Sequence, residues 1–328
     1  MTVSVANGLI VTTDVFGVIA FPDTEEDHWY NDYSMLAYYD KKTGWTFNDI
    51  DWYLNDMCMS YQAIKAPGNP DAKVYVSLGR EGEVIIDIPA LDLIKVEHIT
   101  GAGYDQPWSE DGGYVSTIKE IGSHLYVCGN KNQVYRRSGD ANNGHWEHWD
   151  KGILRTTPGY TTLFDIDGLT EENIYAVGLE ASIYHYDGKK WSPVKHNIDN
   201  ETLIKIKILS EEDVYIVGSS GVILYGNHKT GFTDISSPDN VERFSSIEYF
   251  NDTLFIASGN GLFTYDFSLK KAVPYQTDLE TDLIDAHILE AKDGILWSFG
   301  YKDIAYFNGQ HWTRVDIEGN PKIGEDDE

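Results

Sequence analysis

Three stretches of the chain interleave carboxylates with indole and phenol rings and hold almost no Lys or Arg. The first runs Asp23-Thr24-Glu25-Glu26-Asp27-His28-Trp29-Tyr30-Asn31-Asp32. The second is Asp49-Ile50-Asp51-Trp52-Tyr53-Leu54-Asn55-Asp56, and the third is Tyr104-Asp105-Gln106-Pro107-Trp108-Ser109-Glu110-Asp111. Large aromatic side chains in loops lack a core to fill, and rings ringed by charge are what a protein-binding hot spot needs. Carboxylates around them would steer a basic protein toward the site. The candidate partner-binding residues are therefore Asp23, Glu25, Glu26, Asp27, Trp29, Tyr30, Asp32, Asp51, Trp52, Tyr53, Asp56, Tyr104, Asp105, Trp108, Glu110 and Asp111. Two other uses fit the same residues: loops folded back as a plug, or a carbohydrate site in which rings stack on sugar faces.

Catalytic readings find less support. Carboxylates are so frequent that a glycosidase-like pair, about 5–10 Å apart, has candidates everywhere and none marked out. Sialidase-type aspartate boxes, a Gly-x-Ser-x-Gly elbow, a phosphate-binding loop and His-Glu-x-x-His are all missing from the sequence. His145, Glu147 and His148 resemble metal ligands, but on a strand positions 145 and 148 point to opposite faces. Asp140-Ala141-Asn142-Asn143-Gly144 lacks the closing Glu of a calcium loop and reads as a turn. Neither catalytic residues nor a cofactor or metal are expected.

Charge narrows the partners. Twenty-five Lys and Arg face 53 Asp and Glu, a net charge of −28. That excess repels nucleic-acid phosphates and anionic lipid, and it favours cations and basic proteins. The two cysteines, Cys58 and Cys128, sit in apolar strand contexts without metal spacing and read as buried thiols in a reducing compartment. The N-terminus lacks the basic and apolar regions of a signal peptide, so the expected location is the cytoplasm.

What must position the acidic-aromatic loops is a repeat. Asn173-Ile174-Tyr175-Ala176-Val177-Gly178 is followed by Ile183-Tyr184-His185-Tyr186-Asp187-Gly188-Lys189-Lys190-Trp191. Asp213-Val214-Tyr215-Ile216-Val217-Gly218 and Thr253-Leu254-Phe255-Ile256-Ala257-Ser258 open the next two copies, so the turn recurs at 178, 218 and 258, a spacing of 40. Short strands repeated at about this period mark an all-β chain, a β-propeller. Seven four-stranded blades are expected, with six or eight as alternatives, over roughly 1–50, 51–100, 114–153, 162–199, 203–239, 244–276 and 283–317. They would form a single domain, 1–323, with 324–328 as an acidic tail. Met1 to Ala6 fits either the first strand of blade one or an extra strand on blade seven. In each blade the second strand is apolar on both faces, as expected between two neighbours. Asp187-Gly188 and Asn308-Gly309 supply the positive φ of tight hairpin turns, and Trp45, Trp191 and Trp312 then open the fourth strand as structural residues, Phe232 taking that part in blade five. Connectivity would bring all three acidic-aromatic stretches to one face.

The run Ile174 to Gly178 followed by Tyr186-Asp187-Gly188-x-x-Trp191 resembles a common bacterial propeller repeat, which implies fold alone. A strongly acidic propeller with loops such as 23–32 and 51–56 resembles the immunity proteins of contact-dependent growth inhibition systems. That resemblance implies a monomeric, non-catalytic protein forming a 1:1 complex with a delivered toxin, a basic nuclease, with an RNase of the EndoU type as first candidate. Glycan binding or cleavage and a general scaffold are the alternatives.

Overall fold

The computed structural model describes residues 1–23, 33–110, 112–150, 152–156 and 161–324. Among the described residues, alternating apolar residues punctuated by turn residues give 28 strands in chain order. The first four are β1 (Val3–Thr12), β2 (Val15–Pro22), β3 (Ser34–Asp40) and β4 (Gly44–Ile50). Next come β5 (Leu54–Ser60), β6 (Val74–Gly79), β7 (Glu83–Ile88) and β8 (Leu93–His98), then β9 (Val115–Ile121), β10 (His124–Gly129), β11 (Val134–Ser138) and β12 (His145–His148). They are followed by β13 (Leu163–Thr170), β14 (Asn173–Gly178), β15 (Ile183–Tyr186) and β16 (Trp191–Pro193), and by β17 (Leu203–Ile208), β18 (Val214–Gly218), β19 (Ile223–Asn227) and β20 (Gly231–Asp234). The last eight are β21 (Phe244–Phe250), β22 (Thr253–Ser258), β23 (Gly261–Asp266), β24 (Lys271–Pro274), β25 (Ile288–Lys292), β26 (Ile295–Phe299), β27 (Ile304–Phe307) and β28 (Trp312–Val315). Each consecutive set of four forms one sheet, giving seven four-stranded sheets. Val3–Thr12 therefore pairs with β2 in the first sheet rather than extending the last.

The chain divides into two compact units: Met1–Tyr53, Val217–Ile223 and Ile235–Glu328 in one, Leu54–Ile216 and Leu224–Asp234 in the other. In the first, Val3, Ile10, Phe16 and Val18 pack with Trp297, Phe299 and Ile304, and the Phe16 and Trp297 rings lie 4.7 Å apart. A further cluster joins Phe250, Phe255 and Leu262 to Leu289, Leu296 and Trp312. In the second unit, Val74, Val76 and Leu78 pack with Val115, Leu125 and Val127, while Cys128, Leu163 and Ala176 share a core with Trp191. Second strands such as β6 and β14 are buried on both faces, because sheets pack against each side of them. Cys58 and Cys128 are free and buried.

Three recurring devices hold neighbouring sheets together. A bulge in the first strand, at Asn55, Phe164 and Ser245, turns the following side chain toward the next sheet. Asp56 Oδ2 thus accepts the Thr117 hydroxyl and, at 2.8 Å, the Ile118 N–H. Asp165 accepts the Ile206 N–H at 3.0 Å, and Ser246 Oγ accepts the Leu289 N–H at 3.1 Å. The fourth strand supplies the second device. The indole N–H groups of Trp45, Trp146, Trp191 and Trp312 reach Asp316, Glu97, Trp149 and Tyr275 of the preceding sheet. Where Phe232 replaces Trp, its backbone N–H reaches the Lys195 carbonyl at 2.8 Å instead. Third, the hairpins into the fourth strand are closed by Asp or Asn side chains accepting backbone N–H groups two and three residues on, as at Asp140, Asp187, Asn227, Asp266 and Asn308.

One strand begins later than its apolar pattern suggests. The alternation from Ile284 points to a strand over 284–289, yet β25 starts at Ile288. The Ile284 N–H is taken by Asp303 at 3.1 Å, and Asp285 accepts the Tyr301 N–H at 3.0 Å, so this segment bonds to a turn before any ladder can form.

Candidate partner-binding site

Glu25, Glu26, Asp27, Trp29, Tyr30, Asp32 and Asp111 lie outside the described residues. The others fall into the two units and differ in what they touch.

The third stretch builds the best-defined surface. Residues 99–114 connect β8 to β9, and a parallel bridge Gly101↔Ser109 with an antiparallel bridge Gly103↔Gly113 folds them into a small closed loop. Positive φ at Gly101 (99°) and Gly103 (85°) permits that tight path. Glu81, in the turn between β6 and β7, anchors it. Its carboxylate accepts the Tyr104 N–H at 2.7 Å and its carbonyl accepts the Trp108 indole N–H at 2.9 Å. The Trp108 ring then lies 3.9 Å from that of His98. Tyr104 stands on Tyr114 edge to face at 4.8 Å, its hydroxyl receives the Asn130 amide at 3.2 Å, and Arg80 caps the Tyr114 ring at 5.2 Å. Burial raises the Tyr114 hydroxyl above its ordinary pKa, with Arg80 acting the other way. Tyr104 keeps 41% of its surface open, Tyr114 37%, and Asp105 and Glu110 are exposed beside them. The outcome is a platform: two phenols held by a cation and amides, with exposed carboxylates at its rim. Arg80, Glu81, His98 and Tyr114 belong to it although the sequence reading passed over them. Their signal was the alternation of connections, which sends the β6–β7 turn to the same side as the β8–β9 loop.

The second stretch is split by role. Asp51 is exposed, while Trp52 and Tyr53 are half-buried. The Trp52 carbonyl accepts the Ser34 hydroxyl at 2.7 Å, and the Tyr53 ring stacks on Phe21 at 4.7 Å. Tyr33 donates its hydroxyl to Asp49; that bond, then burial and the charges of Asp49 and Asp51, push its pKa up to about 12. Asp56 does not share this surface. Its carboxylate is directed to β9, as described above.

Asp23 is likewise engaged within the fold. Lys302 donates to it, and so does the Ser4 hydroxyl at 2.7 Å. Burial works to raise its pKa, and those donors outweigh burial and hold the carboxyl below the usual range. It is a tie between the first and last sheets of its unit more than a free charge.

Among the described residues no three His, Cys, Asp or Glu side chains gather as a metal site. Glu147 pairs with Arg136 at 2.7 Å, and the His148 ring lies 4.7 Å from Tyr135.

Solved structures superpose on most of the chain. The WD40 β-propeller domain of Doa1 superposes with a TM-score of 0.58 over 92% of this chain and 91% of that one, at 9% identity. Chaetomium thermophilum Sqt1 gives 0.60 over 95% and 85%, at 13% identity, and U3-55K gives 0.60 over 96% and 93%, at 12%. The fold is a seven-bladed β-propeller. At such identities the likeness speaks for fold alone, and the chain carries the repeat Ile-Tyr-Ala-Val-Gly in place of the Gly-His and Trp-Asp punctuation of WD repeats. No family model matches the chain. By sequence it is similar to the immune protein Tsi7 of Pseudomonas aeruginosa strain PAO1, with 34% identity over 208 residues. The match takes in 62% of this propeller and 65% of Tsi7, so it spans less than two thirds of that relative.

Proposed function

We propose that this propeller is an immunity protein. It binds a toxin with a basic surface, one to one and in the cytoplasm, and blocks it without chemistry of its own. The observation that carries the reading is the 34% identity to a protein named an immune protein. A net charge of −28 and the platform of Tyr104 and Tyr114 rimmed by Asp105 and Glu110 support it. A nuclease is the toxin class that suits such a binder, because its substrate cleft must be basic to hold phosphates and carboxylates can occupy it instead. Tight inhibition of that kind buries about 1,600 Å² or more in total.

The test is co-expression of the full chain with the toxin-like product of a neighbouring reading frame. Growth should be restored, and the two proteins should copurify in equal amounts. Failure to protect, or protection that persists after Tyr104→Ala with Asp105→Lys and Glu110→Lys, would overturn respectively the function and the site.

A further inference from the structure

Among the described residues no further strand pairs with the outer side of any fourth strand. Such edges invite pairing with other chains, and proteins blunt them with short length, proline or polar side chains. Six of the fourth strands here are blunted. Trp191–Pro193 and Lys271–Pro274 end in proline, and His145–His148, Gly231–Asp234 and Trp312–Val315 have only four residues. Gly44–Ile50 is longer, but its exposed positions Thr46, Asn48 and Asp49 are polar.

β8 is the exception. It has six residues and no proline, and its outward side chains are Ile94, 70% exposed, Val96, 36% exposed, and His98. Its backbone points the same way. Ile99 N–H donates to the Gly82 carbonyl at 2.8 Å, and the register pairs His98 with Glu83 through Leu93 with Ile88. Hydrogen-bonded pairs alternate along an antiparallel ladder. Leu93, Lys95 and Glu97 therefore turn their peptide groups toward β7, and Ile94, Val96 and His98 turn theirs to the open side. The positions with unladdered N–H and C=O groups are thus the ones that carry exposed apolar side chains. Lys95 and Glu97 face the other way, onto the Ala141 and Asn142 carbonyls and Arg137. At its far end the strand runs into the platform, since His98 lies against Trp108.

We propose that β8 receives an extended segment of the toxin as a fifth strand of its sheet. The inference rests on the immunity reading and adds how the partner is held. Main-chain bonds to Ile94, Val96 and His98 would supply affinity, as in other cases of strand addition. Apolar side chains at alternate positions of the segment would cover Ile94 and Val96, and a Lys or Arg beyond the His98 end would reach Asp105 and Glu110. A second copy of this chain is a poorer occupant, because two chains of charge −28 repel each other.

The experiment uses the full chain and the purified toxin it protects against. Hydrogen exchange at the Ile94, Val96 and His98 amides should slow at least tenfold in the complex. Val96→Pro removes an N–H that faces away from β7, so the sheet keeps its own ladder while affinity falls at least tenfold. Ile94→Lys, at an open position, should weaken binding similarly with an unchanged melting temperature. A complex in which these amides exchange at the free rate, or which both variants form at wild-type affinity, overturns strand addition and leaves the immunity reading standing. A concentration-dependent homodimer that Val96→Pro abolishes assigns the edge to self-association and overturns the proposal. A chain that protects against no toxin removes both.

Discussion

The guanidinium of Arg137 grips the carboxylate of Glu97 with two bonds, of 2.7 and 2.8 Å, and the two side chains are only 1% and 8% exposed. The pair ties β11 to β8 of the neighbouring sheet, and Lys95 and the Trp146 indole complete the shell of Glu97 at 3.1 and 3.2 Å. Removing one member of a buried pair strands the other, at a typical cost of about 3–5 kcal/mol. Arg137→Ala should therefore lower the urea midpoint sharply, whereas Arg137→Met with Glu97→Leu should recover much of the loss. Burial works to raise the Glu97 pKa, but Arg137 and Lys95 bring it below the usual range. A depressed carboxylate contributes stability above its unfolded pKa that is lost as pH falls through the folded one. The wild type should weaken in acid on this account, and the double variant should lack that component.

A second acid-sensitive element sits between two other sheets. The imidazoles of His185 and His228 stack at 3.8 Å with only 3° between their planes, His185 bonding Asn173 at 2.9 Å and His228 bonding Tyr175 at 2.8 Å. Burial, then the His228 charge, lowers the His185 pKa to about 4. The fold thus holds this histidine neutral. Its contribution is complete above the unfolded value of about 6.5 and declines as pH falls from there to about 4. His185→Gln should flatten stability between pH 6.5 and 4 in denaturant titrations, and an unchanged slope would refute the assignment.

The fourth-strand tryptophans act as pins. Trp191 is 2% exposed and donates to the Trp149 carbonyl at 2.9 Å. Trp191→Phe keeps most of the apolar contact but removes the bond to that carbonyl, so about 1 kcal/mol of stability should go. Toxin affinity should stay within twofold, measured on the folded variant, because the pin is remote from the platform in its role.

Much of this architecture was legible because it depends on local chemistry. Asp187-Gly188 announces its hairpin through a side-chain acceptor and a glycine at φ 84°, and the run Ile174 to Val177 can only be a strand covered on both faces. The site was less legible, since Asp51 and Asp56 sit in one acidic stretch and look alike. The bulge at Asn55 separates them by rotating Asp56 onto the Thr117 hydroxyl while Asp51 stays in solvent. A backbone irregularity of one residue leaves no composition signal. The start of β25 escaped for a similar reason: acceptors from Asp303 and Asp285 decide it, and they act across the turn.

That distinction changes which substitutions can test binding. Reversing Asp56 would remove the acceptor for Ile118 and Thr117 and unsettle two sheets, so lost affinity there would report folding. Trp108→Ala is ambiguous too, because the indole anchors the loop on Glu81. Tyr104→Ala combined with Asp105→Lys and Glu110→Lys gives up the edge contact with Tyr114 and the bond from Asn130, and leaves the Glu81 anchor in place. Its melting temperature should fall by only a few degrees, as one such hydrogen bond contributes about 0.5–1.5 kcal/mol. Affinity for the toxin should drop at least a hundredfold, since an aromatic anchor alone can be worth about 2 kcal/mol or more and two reversed charges turn attraction into repulsion. Raising salt from 50 to 500 mM should slow wild-type association severalfold and leave the variant nearly indifferent. Equal salt slopes for both proteins would place the steering charges elsewhere on the chain.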